Sequence, residues 1–254
     1  MSDCAILARA LAYDYPDATP ALRGVDWRVL HGESVAVVGA NGAGKSTLLL
    51  HLNGLLLPRA GEVRIGGLPV TRANLAAIRR QVGFVFQDAD DQLFMPTVRD
   101  DVAFGPSNLR LAPAEVDARV QAALEAVGAA HLAARAPYRL SGGEKRSVAI
   151  AGVLAMRPSI LVLDEPSAGL DPAARRSLIG LLRALRHTRV IATHDLDLAL
   201  EVCPRMLVLH EGTVAADGPP LQLLADAALL RRCRLEPPLA WQGRAPPSSG
   251  RAAS

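Results

Sequence analysis

The chain has 254 residues, 50% of them hydrophobic, which is enough to bury the core of one large domain or two small ones. No apolar run approaches the roughly 18 residues of a membrane span, and Met1-Ser2-Asp3-Cys4 opens no basic-then-apolar signal pattern. Cys4, Cys203 and Cys233 are odd in number and far apart, which predicts a reducing compartment without a disulfide framework; the net charge of +3 comes from scattered arginines and reads as a solvated surface, with only weak support for contact with anionic lipid or nucleic acid.

In chain order, residues 4–13 are predicted as a strand of poor alternation, broken by Tyr13-Asp14-Tyr15-Pro16-Asp17, and residues 21–29 as a second strand. His31-Gly32-Glu33 turns into a third, Val35 to Val38, four apolar residues in a row. A glycine turn follows, Gly39-Ala40-Asn41-Gly42-Ala43-Gly44, and then Lys45-Ser46-Thr47 opens an apolar helix over residues 48–52. Strand, G-x-x-x-x-G-K-S, helix is the phosphate-binding loop in its proper context. Glycines let backbone N–H groups converge on phosphate oxygens, and the first turn of the helix offers its unpaired amides to the same anion. Lys45 is expected to reach the β- and γ-phosphates and the Ser46 hydroxyl to ligate Mg²⁺. The glycine order, G-x-x-G-x-G, excludes a dinucleotide loop.

Residues 61–66 and 82–86 read as further short strands, the latter ending at Gln87, whose amide is placed to ligate Mg²⁺ or orient a water. Beyond it the texture turns helical from 96 to 136, with Val116, Val120, Leu124 and Val127 at a 3–4 spacing within a helix over 114–127. No strand interrupts this stretch, so residues of about 88–157 form a helical subdomain inserted in an α/β core. Leu93-Phe94-Met95 makes an apolar patch that either docks a partner or packs on that subdomain. Ser141-Gly142-Gly143-Glu144 opens another helix. It reads both as a capping box and as an anion-binding helix end.

The α/β texture returns with a buried strand over 160–163 that delivers Asp164 and Glu165 at its carboxyl end, where ligands of parallel sheets bind. Asp164 suits Mg²⁺, and Glu165 can polarise a water against the γ-phosphate. Asp171 caps a helix over 172–185 with Pro172 at its first position. A strand over 190–192 ends at Thr193-His194-Asp195, which puts His194 in reach of the γ-phosphate. A strand over 206–209 and one terminal helix over 221–235 follow, and residues 237–254, rich in Pro, Ser, Gly, Ala and Arg, read as a flexible tail. Residues 1–236 are expected to be a single domain.

The phosphate loop, Gln87, Leu140-Ser-Gly-Gly-Glu, Leu163-Asp-Glu-Pro, Ser167-Ala-Gly-Leu-Asp171 and His194 stand in the order and spacing of the ATP-binding-cassette ATPases, which this chain resembles over about residues 4–236. The resemblance implies a P-loop NTPase core with a helical subdomain, ATP and Mg²⁺ as cofactors, and Mg²⁺ held by Ser46, Gln87 and Asp164. It implies a nucleotide site built from Tyr15, Gly39, Asn41, Gly42, Ala43, Gly44, Lys45, Ser46, Thr47 and Gln87. Tyr15 would stack on adenine, with Tyr13 as runner-up. Glu165 would be the catalytic base and His194 the switch histidine. Two such chains would pair head to tail, as a homodimer or with a second ATPase. Ser141, Gly142, Gly143 and Glu144 of one would then face the ATP of the other, and Asp171 would reach across. The segments Leu49-Leu-His-Leu-Asn-Gly, Phe86-Gln-Asp-Ala-Asp-Asp-Gln-Leu-Phe and Asp101-Val-Ala-Phe-Gly-Pro resemble ATPase subunits of energy-coupling-factor importers, and Ile191-Ala-Thr-His-Asp-Leu-Asp-Leu-Ala-Leu their cobalt and nickel branch.

That likeness implies integral membrane partners, a peripheral place on the cytoplasmic side of the cell membrane, and no nucleic acid. Two positions depart from the pattern: Ala40 stands where proline is usual, and Ser147 where the signature helix usually has arginine. A vitamin importer of the same type is an alternative. So is a soluble cassette ATPase, but only 52 residues, without heptads, separate Gln87 from Leu140, which leaves no coiled-coil insertion of the chromosome type. A non-hydrolysing nucleotide binder is opposed by the intact Glu165 and His194.

Overall fold

The computed structural model describes residues 4–238 and 241–242. The chain opens with an antiparallel pair, β1 (Cys4–Asp14) and β2 (Pro20–Leu30). It then leaves for a second sheet through β3 (Ser34–Val38) and α1 (Lys45–Leu52), and returns in β4 (Ala60–Ile65) and β5 (Leu68–Pro69). The first sheet has the order β2-β1-β4-β5. The poor alternation of β1 has a cause: its register with β2 shifts between Ala8 and Leu11, and Ala10 takes a φ of 44°. This bulge presses on Gly61, where a Cβ would lie 2.2 Å from the Ala10 carbonyl oxygen.

A short helix, α2 (Leu75–Gln81), leads into β6 (Val82–Val85). Then come three helices, α3 (Val98–Asn108), α4 (Pro113–Ala126) and α5 (Gly142–Leu154). They enclose a core of their own, with Val98, Val102, Val116, Val120, Leu124 and Val148 buried together. α5 also lies on β6 at Gly83, where a Cβ would meet Val153 at 2.2 Å and Pro158 at 2.8 Å.

β7 (Ile160–Asp164), α6 (Pro172–Ala184), β8 (Thr188–Ala192), α7 (Leu196–Val202), β9 (Arg205–His210) and β10 (Thr213–Gly218) complete the second sheet and its cover. Its order is β10-β9-β3-β8-β7-β6, parallel except for β10. All residues of β3, β7 and β8 are buried, which is why residues 35–38, 160–163 and 190–192 read as apolar runs. Val35 and Val37 face α1 and the antiparallel sheet, whereas Ala36 and Val38 face α6 and α7.

The single terminal helix expected over 221–235 is instead two, α8 (Pro220–Ala225) and α9 (Ala227–Arg232). Asp226 between them has φ −81° and ψ 93°, and its carboxylate accepts from the Ala228 and Leu229 amides; it ends one helix and caps the next. Most of the expected tail, residues 239–240 and 243–254, lies outside the described residues.

Candidate active site

The carboxyl ends of β3, β8, β7 and β6 lie side by side and gather the site. After β3, Gly39 has no room for a side chain: a Cβ there would stand 2.5 Å from the Leu209 carbonyl oxygen. Gly44 has φ 101° and would collide with the Ala21 carbonyl, so both its conformation and its neighbour demand glycine. The first backbone bond of α1 runs from the Leu48 amide to the Gly44 carbonyl, so the Lys45, Ser46 and Thr47 amides open out of the helix end. Lys45 is buried, and its Nζ donates to the Gly39 carbonyl at 2.8 Å and the Ala40 carbonyl at 3.4 Å. Ala40 therefore serves the loop through its backbone, where proline would serve as well.

Behind this loop stand Asp164, the last residue of β7, and Glu165, the first beyond it. Glu165 has φ 43°, and its amide donates to the Ala192 carbonyl at 2.8 Å. Its Oε2 accepts from the His194 backbone at 3.1 Å and from His194 Nδ1 at 2.8 Å, while Oε1 lies 3.7 Å from Lys45 Nζ. A non-glycine residue held at positive φ is the backbone strain expected of a functional position. Asp164 accepts a hydrogen bond from the Ser46 side chain. Burial, with the Glu165 charge beside it, lifts its carboxyl above the ordinary range despite that bond and Lys45.

The cavities follow these residues. A pocket of 470 Å³ is lined by Tyr15, the loop from Asn41 to Thr47, Gln87, Glu165 and His194. An adjoining cleft of 780 Å³ shares Ser46 and Gln87 with it and adds Asp164 and Gly142. The Tyr15 hydroxyl lies 2.9 Å from Thr47 Oγ1, and its ring meets Tyr13 edge-on. Tyr13, the runner-up for adenine, is buried against His51 and lines neither cavity. Gly39 lies beneath the loop, and Ser141, Gly143, Glu144 and Asp171 also stand outside both cavities.

The residues present fit Mg²⁺. Asp164 Oδ1 is buried with no partner, and Ser46, Gln87 and Asp164 line one cleft with hydroxyl, amide and carboxylate oxygens, the donors a hard cation takes. Among the described residues no group of three or more His, Cys, Asp and Glu gathers as a metal site.

The helix ends behave as their sequences predict. Ser141 caps α5 in a full capping box: its Oγ accepts from the Glu144 amide at 3.3 Å, and Glu144 Oε2 accepts from the Ser141 amide at 2.7 Å. Asp171 caps α6 by accepting from the Ala174 amide at 2.8 Å. Sequence reasoning missed Arg175, Asp195 and Arg146. Arg175 grips Asp195 through two bonds of 2.6 and 2.7 Å, and Asp195 also accepts from the Leu198 amide, capping α7. An Asp directly before Leu196-Asp-Leu-Ala-Leu was the available signal for that cap. Arg146 is buried one position before Ser147, so the helix does carry a guanidinium here.

The ABC transporter family profile matches residues 22–168. A putative ABC transporter ATP-binding protein of Geobacter sulfurreducens is 64% identical over 243 residues, covering 96% of this chain and 98% of that one. The energy-coupling factor transporter ATP-binding protein EcfA of Methanothermobacter thermautotrophicus is 53% identical, covering 91% of this chain and 76% of its own. Among solved structures, cbiO1 of Clostridium perfringens, part of the ABC transporter complex cbiONQ, superposes with a TM-score of 0.81 at 40% identity over 91% of this chain and 94% of its own. A dimeric ATP-binding cassette in a post-hydrolysis state with ADP and phosphate gives 0.76 at 29% identity, over 85% and 98%.

The Arg175–Asp195 pair makes a pH prediction. Burial pushes the Asp195 carboxyl up, but the Arg175 bond, the Leu198 amide and Ser167 outweigh it and leave the pKa below the ordinary value. Its stabilisation is therefore complete above the unfolded value of about 4 and is lost as pH falls through the lower folded value. Asp195→Asn keeps the cap but loses the ion pair. We expect a cost of about 1–2 kcal/mol at neutral pH. Melting curves of both proteins from pH 7 downward should show a constant gap that closes only below about pH 4.

Proposed function

This chain belongs to the ABC transporter family, and we propose that it powers import of cobalt or nickel ions. It is the ATPase subunit of an energy-coupling-factor type ABC transporter, working as a dimer on membrane subunits. The observation that carries the mechanism is the convergence of Lys45, Ser46, Asp164, Glu165 and His194 on one edge of the parallel sheet.

In this reading the amides from Asn41 to Thr47 hold the phosphate chain, and Lys45 exchanges the Gly39 carbonyl for the β- and γ-phosphate oxygens. Tyr15 presents its ring to adenine while Thr47 steadies its hydroxyl. Ser46, Gln87 and Asp164 would hold Mg²⁺, which when bound would supply positive charge to the phosphates. Glu165 takes the proton from the attacking water, with its Oε2 anchored by the His194 amide and imidazole. His194 is 64% exposed at its side chain, which leaves it open to the γ-phosphate. Ser141, Gly142, Gly143 and Glu144 face the nucleotide of the partner, and Asp171 reaches across the dimer. Among the described residues no helix is long and apolar enough to cross a membrane. A peripheral place on the cytoplasmic face of the cell membrane accords with that.

The patch at Leu93-Phe94-Met95 divides. Leu93 packs against the helical core, whereas Phe94 is 62% exposed and stacks edge-on against Phe104, itself exposed, at 5.0 Å. The pair rims a 330 Å³ groove between β6 and α5. This exposure supports docking of a membrane subunit's cytoplasmic helix there. The choice of ion rests on the likeness of residues 191–200 to the cobalt and nickel branch.

Glu165→Gln should still bind ATP but turn over about 10²–10⁴-fold more slowly. Single-turnover hydrolysis at saturating ATP measures this, and near-normal rates would remove Glu165 from the role. Phe94→Ser should lose co-purification with the membrane subunits while nucleotide binding persists; loss of both would return Phe94 to a packing role. Cells expressing the chain with its membrane partners should accumulate labelled Co²⁺ or Ni²⁺. Accumulation of a vitamin without metal would sink the ion assignment.

A further inference from the structure

Arg146 is 5% exposed, lines the cleft with Ser46, Gln87 and Asp164, and binds the loop that carries Gln87. Its Nη1 donates to the Phe86 carbonyl and its Nη2 to the Gln87 carbonyl, both at 2.6 Å. A guanidinium fork that spans two consecutive carbonyls fixes the two peptide planes on either side of the Gln87 Cα, and with them the direction from which the Gln87 side chain departs. Two more contacts join the same loop to α5, and a third braces the loop internally. Lys145 Nζ pairs with Asp90 at 2.6 Å, Gln92 Nε2 donates to the Ala149 carbonyl at 3.2 Å, and Gln92 Oε1 accepts from the Phe86 amide at 3.3 Å. The loop after β6 is thus tied to the body of α5, while the start of that helix carries Ser141 and Gly142.

We propose that Arg146 is a positioning residue for ATP hydrolysis: it holds Gln87 in line with Ser46 and Asp164 and makes that alignment depend on where α5 lies. The role rests on the reading of Gln87 as a Mg²⁺ contact. A lysine cannot reproduce it, because one ammonium does not bridge two carbonyls in a fixed plane. Ser147 cannot supply it either, since it has no guanidinium. The buried charge is itself costly. Burial draws the Arg146 pKa down, opposed by Asp88, and its Nε has no partner, so packing alone would be better served by an apolar side chain.

The test uses the full chain with Arg146→Met, Arg146→Lys, Gln87→Ala and the Arg146→Met/Gln87→Ala double variant. ATPase rate is measured against free Mg²⁺ at saturating ATP, and binding of a fluorescent ATP analogue is measured in EDTA. Arg146→Met should raise the half-saturating Mg²⁺ concentration and lower kcat by about 10–100-fold, with metal-free nucleotide binding unchanged. Arg146→Lys should fall between it and the unmodified protein. In the Gln87→Ala background Arg146→Met should add nothing further to either effect. A lowered melting temperature with an unchanged Mg²⁺ dependence, or full additivity in the double variant, would overturn the proposal. If Gln87→Ala itself leaves the Mg²⁺ dependence unchanged, the reading of Gln87 fails first and the positioning role falls with it. Should Arg146→Met not fold, Arg146→Lys alone and with Gln87→Ala carries the same comparison.

Discussion

Strand register is the constraint on which the site depends. Val37 of β3 stands opposite Ala192 of β8, which stands opposite Asp164 of β7. Backbone bonds continue this row past the strand ends, from the Thr193 amide to Val37 and from the Glu165 amide to Ala192. Glu165 and His194 therefore arrive as neighbours, and Lys45 arrives beside them from the loop after β3. A slip of one residue in any of the three strands would turn its buried side chains to the opposite face and separate these groups. Burial on both faces of the sheet opposes such a slip, because every residue of the three strands is buried and would have to exchange one packed environment for another. Packing thus positions chemistry that it does not touch.

The polar groups held at this edge are poor contributors to stability. Lys45, Asp164, Glu165 and Arg146 are all at least nine-tenths buried. Charges so placed lose hydration that their partners replace only in part. Asp164 and Arg146 each keep a buried atom without a partner. The fold carries this load on its three apolar cores, and the loop glycines add to it by taking conformations with positive φ. The meeting of these four buried charges at one edge of the sheet marks that edge as functional.

What could be read beforehand follows the same division. The parallel strands were legible because double burial writes itself as apolar runs, and the phosphate loop because glycine and lysine at fixed spacing have few other uses. The strand β1 was harder, since its bulge at Ala10 interrupts the alternation that identifies a half-buried strand. The helix α2 escaped notice because only Ile78 in it is buried, which leaves no periodic face to detect. Strand β10 lies at the sheet edge with no residue fully buried. At the other end of the chain, apolar spacing over 221–235 concealed Asp226, whose capping preference outweighed continuity of the helix. Within the site, Glu165 and His194 were legible by type and place. Arg146 was not, because nothing in its surroundings distinguishes it in sequence among 28 basic residues; only its burial and its two carbonyl partners do.

The helix ends connect the signature segment to the carboxylates by a second path. A Cβ on Gly143 would lie 2.8 Å from the Cβ of Ala174, so the first turns of α5 and α6 are in close approach. The Ala174 amide is the one that Asp171 caps. One residue further, Arg175 grips Asp195, directly after the histidine that holds Glu165. Displacement of α5 would therefore press on α6, and through Arg175 on the His194 segment, while Arg146 and Gln92 transmit the same displacement to Gln87. Both paths end on groups that face the nucleotide pocket, and both begin at α5, whose first residue, Gly142, lines only the adjoining cleft. In a head-to-tail pair that end would meet the partner's nucleotide. The occupancy of one site would then bear on the alignment of the other through contacts already made within a single chain.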